Sequence, residues 1–207
     1  MNREYIVKLL SCISAKMAEK RDTLIEMDSV VGDGDLGLTM SDGFKAAYEA
    51  VAASEETDIG KLVYAGGKAM STAVPSTMGT LMASGLMQIG KAFRGRTEIA
   101  DADMADFFGA YLDGVANRGK AKVGDKTFMD GLAPAVDALK ASFAAGDGLK
   151  DAAAKGAEAA KNGYLGTKGM LAIHGRAAGR GEASRELLDP GAAVAMFMLE
   201  AFNESVQ

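Results

Sequence analysis

From Tyr5 to about Glu26, apolar residues recur at Ile6, Leu9, Leu10, Ile13, Met17 and Leu24, the three-or-four spacing that lines one face of a helix. The same spacing returns at about 40–53, 58–73, 78–93, 101–118, 129–144, 148–162, 166–177 and 191–205, and no run of alternating β-branched residues interrupts it. Such a chain must bury its apolar stripes helix against helix, so the expected fold is all-α, with eight or nine helices. The core palette agrees: 48% of residues are hydrophobic but only 6% aromatic, with thirteen Met and no Trp, which leaves Ala, Leu, Val, Ile and Met to fill the interior. At 207 residues, with no internal repeat and no low-complexity linker, residues 1–207 are expected to form one domain. Asp58 and Asp147 are expected as N-caps and Gly163 as a C-terminal stop. Pro75, Pro134 and Pro190 are expected in connections or first turns, where a missing N–H does least harm.

Several function classes are excluded early. A net charge of −5 and no cluster of Lys and Arg give no footprint for nucleic acid. Cys12 is the only cysteine, so neither a disulfide framework nor a cysteine metal site is available. No stretch reaches the ~18 apolar residues of a membrane span, and the N-terminus lacks the basic-then-apolar pattern of an export signal. A cytoplasmic protein without membrane or nucleic-acid partners is the expectation.

Many of the 26 glycines cluster at 32–37, 119–124, 163–169 and 175–181, between helical stretches, as in loops shaped around a ligand, although C-caps and turns account for roughly half of them. Within the first cluster, MDSVVGDGDLGLTM (27–40) places Asp28, Asp33 and Asp35 within eight positions. Three carboxylates brought together repel unless a cation neutralises them, and hard oxygen donors suit Mg²⁺, which bridges carboxylates to phosphate oxygens. A helix opening near Leu38 would offer free backbone N–H groups to an anion beside that metal. The competing reading is three aspartates engaged in turns and caps.

Three familiar motifs do not fit. Gly32, Gly34 and Gly37 satisfy G-x-G-x-x-G, but no strand precedes them and two aspartates inside the pattern would repel a bare pyrophosphate. An EF-hand requires Glu at its twelfth position, where Thr39 or Phe44 stands. GDKT (124–127) separates Gly from Lys by Asp125 and is not a Walker A loop. Elsewhere, Ser76 and Thr77 precede a helix and are expected to cap it unless their loop faces the metal. RGKAKVGDKT (118–127) reads as a solvated connection, and Arg176 and Arg180, taken singly, as surface cations. His174, the only histidine, has no identifiable orienting carboxylate in the sequence and is not expected to be a general base.

Taken in order, the segments MDSVVGDGDLGLTM (27–40), AGGKAMSTAV leading to STMG (65–79), RGKAKVGDKTFMDGLAPAV (118–136), HGRAAGRGEAS (174–184) and DPGAAVAMFM (189–198) resemble the nucleotide-binding L subunit of dihydroxyacetone kinase and the equivalent domain of ATP-dependent single-chain kinases. The resemblance covers nearly the whole chain. It implies a barrel of eight antiparallel amphipathic helices with ADP or ATP at one end, bound through two Mg²⁺ ions on Asp28, Asp33 and Asp35. It further implies that Leu38 and Thr39 touch the nucleotide phosphates and that Ser76, Thr77 and Met78 occupy the phosphate loop. Gly119 and Phe128 would lie beside adenine, with Arg176, Asp189 and Pro190 on the far wall.

In that family a separate K subunit holds the ketose as a covalent adduct of a histidine, a role that the lone histidine here does not match. The phosphoryl donor is ATP or a phosphotransferase-system protein acting on bound ADP. Two departures mark this chain: Leu36 replaces the usual His after the third Asp, and Pro75-Ser76-Thr77-Met78-Gly79 replaces a Gly-Gly-x-Ser-Gly loop. They suggest a divergent branch, acting on dihydroxyacetone or on a larger ketose such as an erythrulose. The alternative from another class is an ADP-loaded regulatory module that binds a partner protein without catalysis.

Overall fold

The computed structural model describes all 207 residues and contains helices and connections but no strand. Nine α-helices follow one another: α1 Arg3–Glu19, α2 Arg21–Val31, α3 Leu36–Ala52, α4 Ile59–Ala73, α5 Thr77–Ala92, α6 Asp103–Gly119, α7 Phe128–Ala144, α8 Leu149–Gly166 and α9 Pro190–Ser205. A 3₁₀ segment, Arg176–Glu186, lies between α8 and α9. The all-α expectation holds. No helix is long and apolar enough to cross a membrane.

From α3 onward each helix packs on its successor, and α1 lies against both α3 and α9, which closes the bundle. Helix α9 is apolar almost all round, with twelve of its sixteen residues buried, and it contacts α1, α7 and α8. One cluster of 47 buried apolar residues forms the core. Its aromatic centre runs from Phe93 through Phe107 and Phe108 to Phe202, with ring centroids 5.0–5.8 Å apart. Edge-on and tilted ring pairs of this kind contribute beyond the area they bury.

Caps set the helix ends at both poles. Asp58 accepts from the Lys61 N–H as expected and also from the Gly95 N–H at 2.9 Å, tying the start of α4 to the end of α5. Ser76 caps α5 through the Gly79 N–H at 3.0 Å. At α7, Thr127 and Asp130 form a reciprocal capping box.

Five expectations are corrected. The periodic stretch 5–26 is two helices broken at Lys20, where the backbone leaves helical geometry with φ of −91° and ψ of 6° although the apolar stripe runs on. Residues 166–177 are not a helix: α8 ends at Gly166, Gly169 has φ of +91°, and the chain turns until Arg176. Asp147 does not cap α8, whose N-cap is Gly148; its carboxylate instead accepts from Ser142 and Lys155. Gly163 and Pro134 both lie inside helices, α8 and α7. These last two belong together. Pro134 cannot donate to the carbonyl of Asp130, and α8 packs onto that same carbonyl through Gly163, where an added Cβ would stand 2.3 Å from the oxygen.

This packing fixes the sign of two alanine substitutions. Gly163→Ala should destabilise the fold by about 1–3 kcal/mol, since the intrinsic helix gain is outweighed by overpacking against α7. Gly109→Ala, whose Cβ would meet only Val136 Cγ1 at 3.8 Å, should stabilise by roughly 0.5–1 kcal/mol. Urea denaturation of the two variants checks both signs.

Candidate functional site

The up-and-down order from α3 to α9 places the N-termini of α3, α5, α7 and α9 at one end of the bundle, around a cleft of about 930 Å³. Leu36, Thr77, Phe128 and Pro190, the first residues of these four helices, all line it. Helix N-termini carry unpaired N–H groups and partial positive charge, so this end favours anions.

On one wall stand the three aspartates, contributed by the last turn of α2 and the turn into α3. Asp28, 9% exposed, accepts from the Leu36 N–H at 3.3 Å. The turn reverses at Gly34, whose φ of +76° suits glycine. Asp35 occupies the N-cap position of α3, yet its carboxylate accepts no hydrogen bond from the first turn. One carboxylate oxygen from each of Asp28, Asp33 and Asp35 lies within 4.8 Å of the others. Desolvation, then the charges of Asp33 and Asp28, hold the Asp35 carboxyl above the usual carboxylate range, while Arg176 acts the other way.

A further side of the cleft is built by the 118–127 connection and residues 167–187, whose Ala172 and Ala177 pack on Val31 at the end of α2. Arg176 packs its Cβ and Cγ beside Gly32 and donates to the Asp33 carboxylate. His174 lines the cleft, and its Nε2 lies 3.0 Å from the Asp125 carboxylate, which also accepts from the Lys122 N–H at 2.8 Å. These hydrogen bonds, the backbone one first, keep the Asp125 carboxyl below its ordinary range. The orienting partner for His174 that the sequence did not reveal therefore exists, 49 residues away in the chain.

Of the residues singled out in the sequence, Asp28, Asp33, Asp35, Ser76, Thr77, Met78, Gly119, Phe128, Arg176, Asp189 and Pro190 all line this one cleft. Leu38 and Thr39 do not: Leu38 is 39% exposed on α3, and Thr39 is buried with its hydroxyl 3.5 Å from that of Ser76. Ser76 and Thr77 thus combine the capping role with a place in the cleft. Lys126 and Thr127 also line it and were passed over because GDKT is not a phosphate-loop motif.

Residues 30–204 match the DAK2 domain. The chain belongs to the DAK2 domain family. It is 30% identical over 200 residues, covering 97% of this chain and 95% of the relative, to the PEP-dependent dihydroxyacetone kinase ADP-binding subunit DhaL of Escherichia coli. It is 33% identical to the L-erythrulose 1-kinase of Mycolicibacterium smegmatis over 96% of this chain but only 35% of that protein. Among solved structures, the dihydroxyacetone kinase of C. freundii superposes with a TM-score of 0.69 at 21% identity, over 97% of this chain and 34% of that one. That likeness shows the fold of a DAK2 domain. A second structure of the C. freundii kinase, in complex with AMP-PNP and Mg²⁺, superposes with a TM-score of 0.67 at 22% identity.

Beneath the cleft, Asp189 caps α9 through the Ala192 N–H at 2.6 Å and is almost wholly buried. Desolvation, reinforced by Asp130, raises its pKa from 3.8 to about 7, against the hydrogen bond from Ala192. A carboxyl whose folded-state pKa is raised gives its full stability below the unfolded value and loses it as pH climbs to the folded one. Folding stability should therefore decline as pH rises from about 4 to about 7. Asp189→Asn, which keeps a capping side chain, should flatten this decline; urea midpoints at pH 5 and pH 8 measure the difference.

Proposed function

We propose that this chain is the nucleotide- and magnesium-binding subunit of a dihydroxyacetone-kinase-like phosphotransferase. It would donate a phosphoryl group to a small ketose, dihydroxyacetone or a related sugar, held by a separate K-type subunit. The observation that carries the reading is the convergence of Asp28, Asp33 and Asp35 within 4.8 Å at the mouth of a cleft ringed by four helix N-termini. The alternative, turn and cap aspartates, loses support from Asp35, whose carboxylate caps nothing. The likeness in sequence to proteins named as ADP-binding subunits of PEP-dependent dihydroxyacetone kinases supports the same reading.

In this proposal Asp28, Asp33 and Asp35 hold two Mg²⁺ ions, which, when bound, neutralise charge on the phosphates of ADP or ATP. The N–H groups opening α5, with the Ser76 and Thr77 hydroxyls, face the phosphate chain. Gly119 and Phe128 flank the adenine, with Arg176, Asp189 and Pro190 opposite. The chain acts by positioning, and its lone histidine is engaged by Asp125 rather than free to carry a ketose. The phosphoryl donor is either ATP or a phosphotransferase-system protein that recharges bound ADP.

Calorimetric titration with ADP and ATP, in Mg²⁺ and then in EDTA, tests the reading. Magnesium-dependent binding is expected, and the absence of both binding and co-purified nucleotide would overturn it. Asp33→Asn should weaken Mg·ADP binding by at least ~10–100-fold, the loss typical of disturbing even outer partners of a metal, with helical circular dichroism unchanged. The isolated chain should release no ketose phosphate from ATP and dihydroxyacetone. Nucleotide binding that persists without turnover when a K-type subunit and ketose are both supplied would favour a regulatory module instead.

A further inference from the structure

Lysines near phosphates are commonly phosphate ligands, and Lys126 lines the cleft within GDKT. Its surroundings indicate a different role. Lys126 is 2% exposed and has a φ of +61°, a left-handed conformation that non-glycine residues rarely adopt. Its Nζ donates to the carbonyl oxygens of Leu187 at 2.5 Å, Ser184 at 2.6 Å and Met170 at 3.3 Å. An ammonium has three N–H donors and no more. All three are taken by backbone, leaving none for a phosphate oxygen.

The acceptors lie at the beginning and the end of one stretch of chain. Residues 167–187 have no α-helix of their own, and the 3₁₀ segment Arg176–Glu186 is kinked at Gly181. Their apolar anchorage is slight: Ala172 and Ala177 belong to a cluster of three buried residues separate from the main core. Between the anchored carbonyls lie His174, Gly175, Arg176 and Ala177, which face the cleft, and Arg176 is the residue that reaches Asp33. The neighbouring Asp125 adds its own ties, accepting at its carbonyl from the Ile173 N–H at 3.2 Å and at its carboxylate from His174.

We propose that Lys126 is a positioning residue for the nucleotide: its ammonium gathers the Met170, Ser184 and Leu187 carbonyls and so holds the 167–187 wall, with Arg176, against the cleft. It acts on the nucleotide through that wall and not by touching phosphate. This rests on the reading that Mg·ADP occupies the cleft.

The test compares wild type, Lys126→Met, Lys126→Arg, Arg176→Gln and the Lys126→Met/Arg176→Gln double variant by Mg·ADP calorimetry, with amide hydrogen exchange over 167–187. Lys126→Met should lower affinity by on the order of tenfold or more, as loss of a residue supporting a ligand shell does, and should speed exchange in the wall. Lys126→Arg should stay within a few fold of wild type. The Met substitution should cost little once Arg176 is gone, because the two losses act through the same wall. Unchanged affinity in Lys126→Met, or a loss that adds fully to that of Arg176→Gln without faster wall exchange, would overturn the proposal. Should Lys126→Met not fold, ¹⁵N NMR of the wild-type Lys126 ammonium decides: its signal should persist, little shifted, on saturation with Mg·ADP, and a large shift would mark direct phosphate contact. If wild type itself binds no Mg·ADP, it is the proposed function that fails; if wild type binds and the variant matches it, only the role of Lys126 does.

Discussion

Three carboxylates within 4.8 Å of one another repel, and the structure around them offsets part of that repulsion. The Leu36 N–H points at Asp28, Arg176 pairs with Asp33, and the four N-termini of α3, α5, α7 and α9 bring partial positive charge to the same end. That last contribution comes from topology. With α3 to α9 running alternately up and down, alternate helices start at the same pole, and the connections that enter them become the walls of one cleft. Negative side chains and the positive ends of helices together suit a metal bound to phosphate better than either ion alone.

The bundle was largely legible because each helix carries its own apolar stripe, and a stripe is a local signal. Asp58 and Ser76 could be assigned as caps for the same reason, since a cap is defined by residues three apart. The errors fall where position depends on a distant partner. Pro134 sits inside α7 because its cost is moderated by a neighbouring helix: α8 lies over the carbonyl that Pro134 leaves without its usual donor, an approach open to Gly163 and closed to alanine. The stretch 166–177 has apolar residues at helical spacing, yet its glycines, the hydrogen bonds it gives to Asp125 and those it receives from Lys126 draw it into a wall.

The candidate site divides along the same line. The three aspartates were found because they lie within eight positions of sequence, and the further-flung lining residues were reached through their resemblance to a family in fixed order. The sequence shows no orienting carboxylate for His174, and Asp125 supplies one from the 118–127 connection at 3.0 Å. Lys126 was invisible for a different reason. Its significance lies in three backbone carbonyls, which have no signature in an amino-acid sequence.

The two departures from the family pattern take on a physical sense once placed in the fold. Leu36, standing where family members usually carry His, is 6% exposed and packs into the main core, so the start of α3 presents backbone N–H to Asp28 rather than an imidazole to the cleft. In the loop before α5, the Ser76 oxygen accepts from the Gly79 N–H and lies 3.5 Å from the Thr39 hydroxyl, so that when Thr39 is the donor the Ser76 hydrogen is available to the cleft. Hydroxyls and helix ends thus take the place of an imidazole on this wall. Neither carries a full positive charge, so in the proposed complex charge neutralisation at the phosphates would fall more heavily on the metal and on Arg176, which is held beside the aspartate turn by its packing on Gly32.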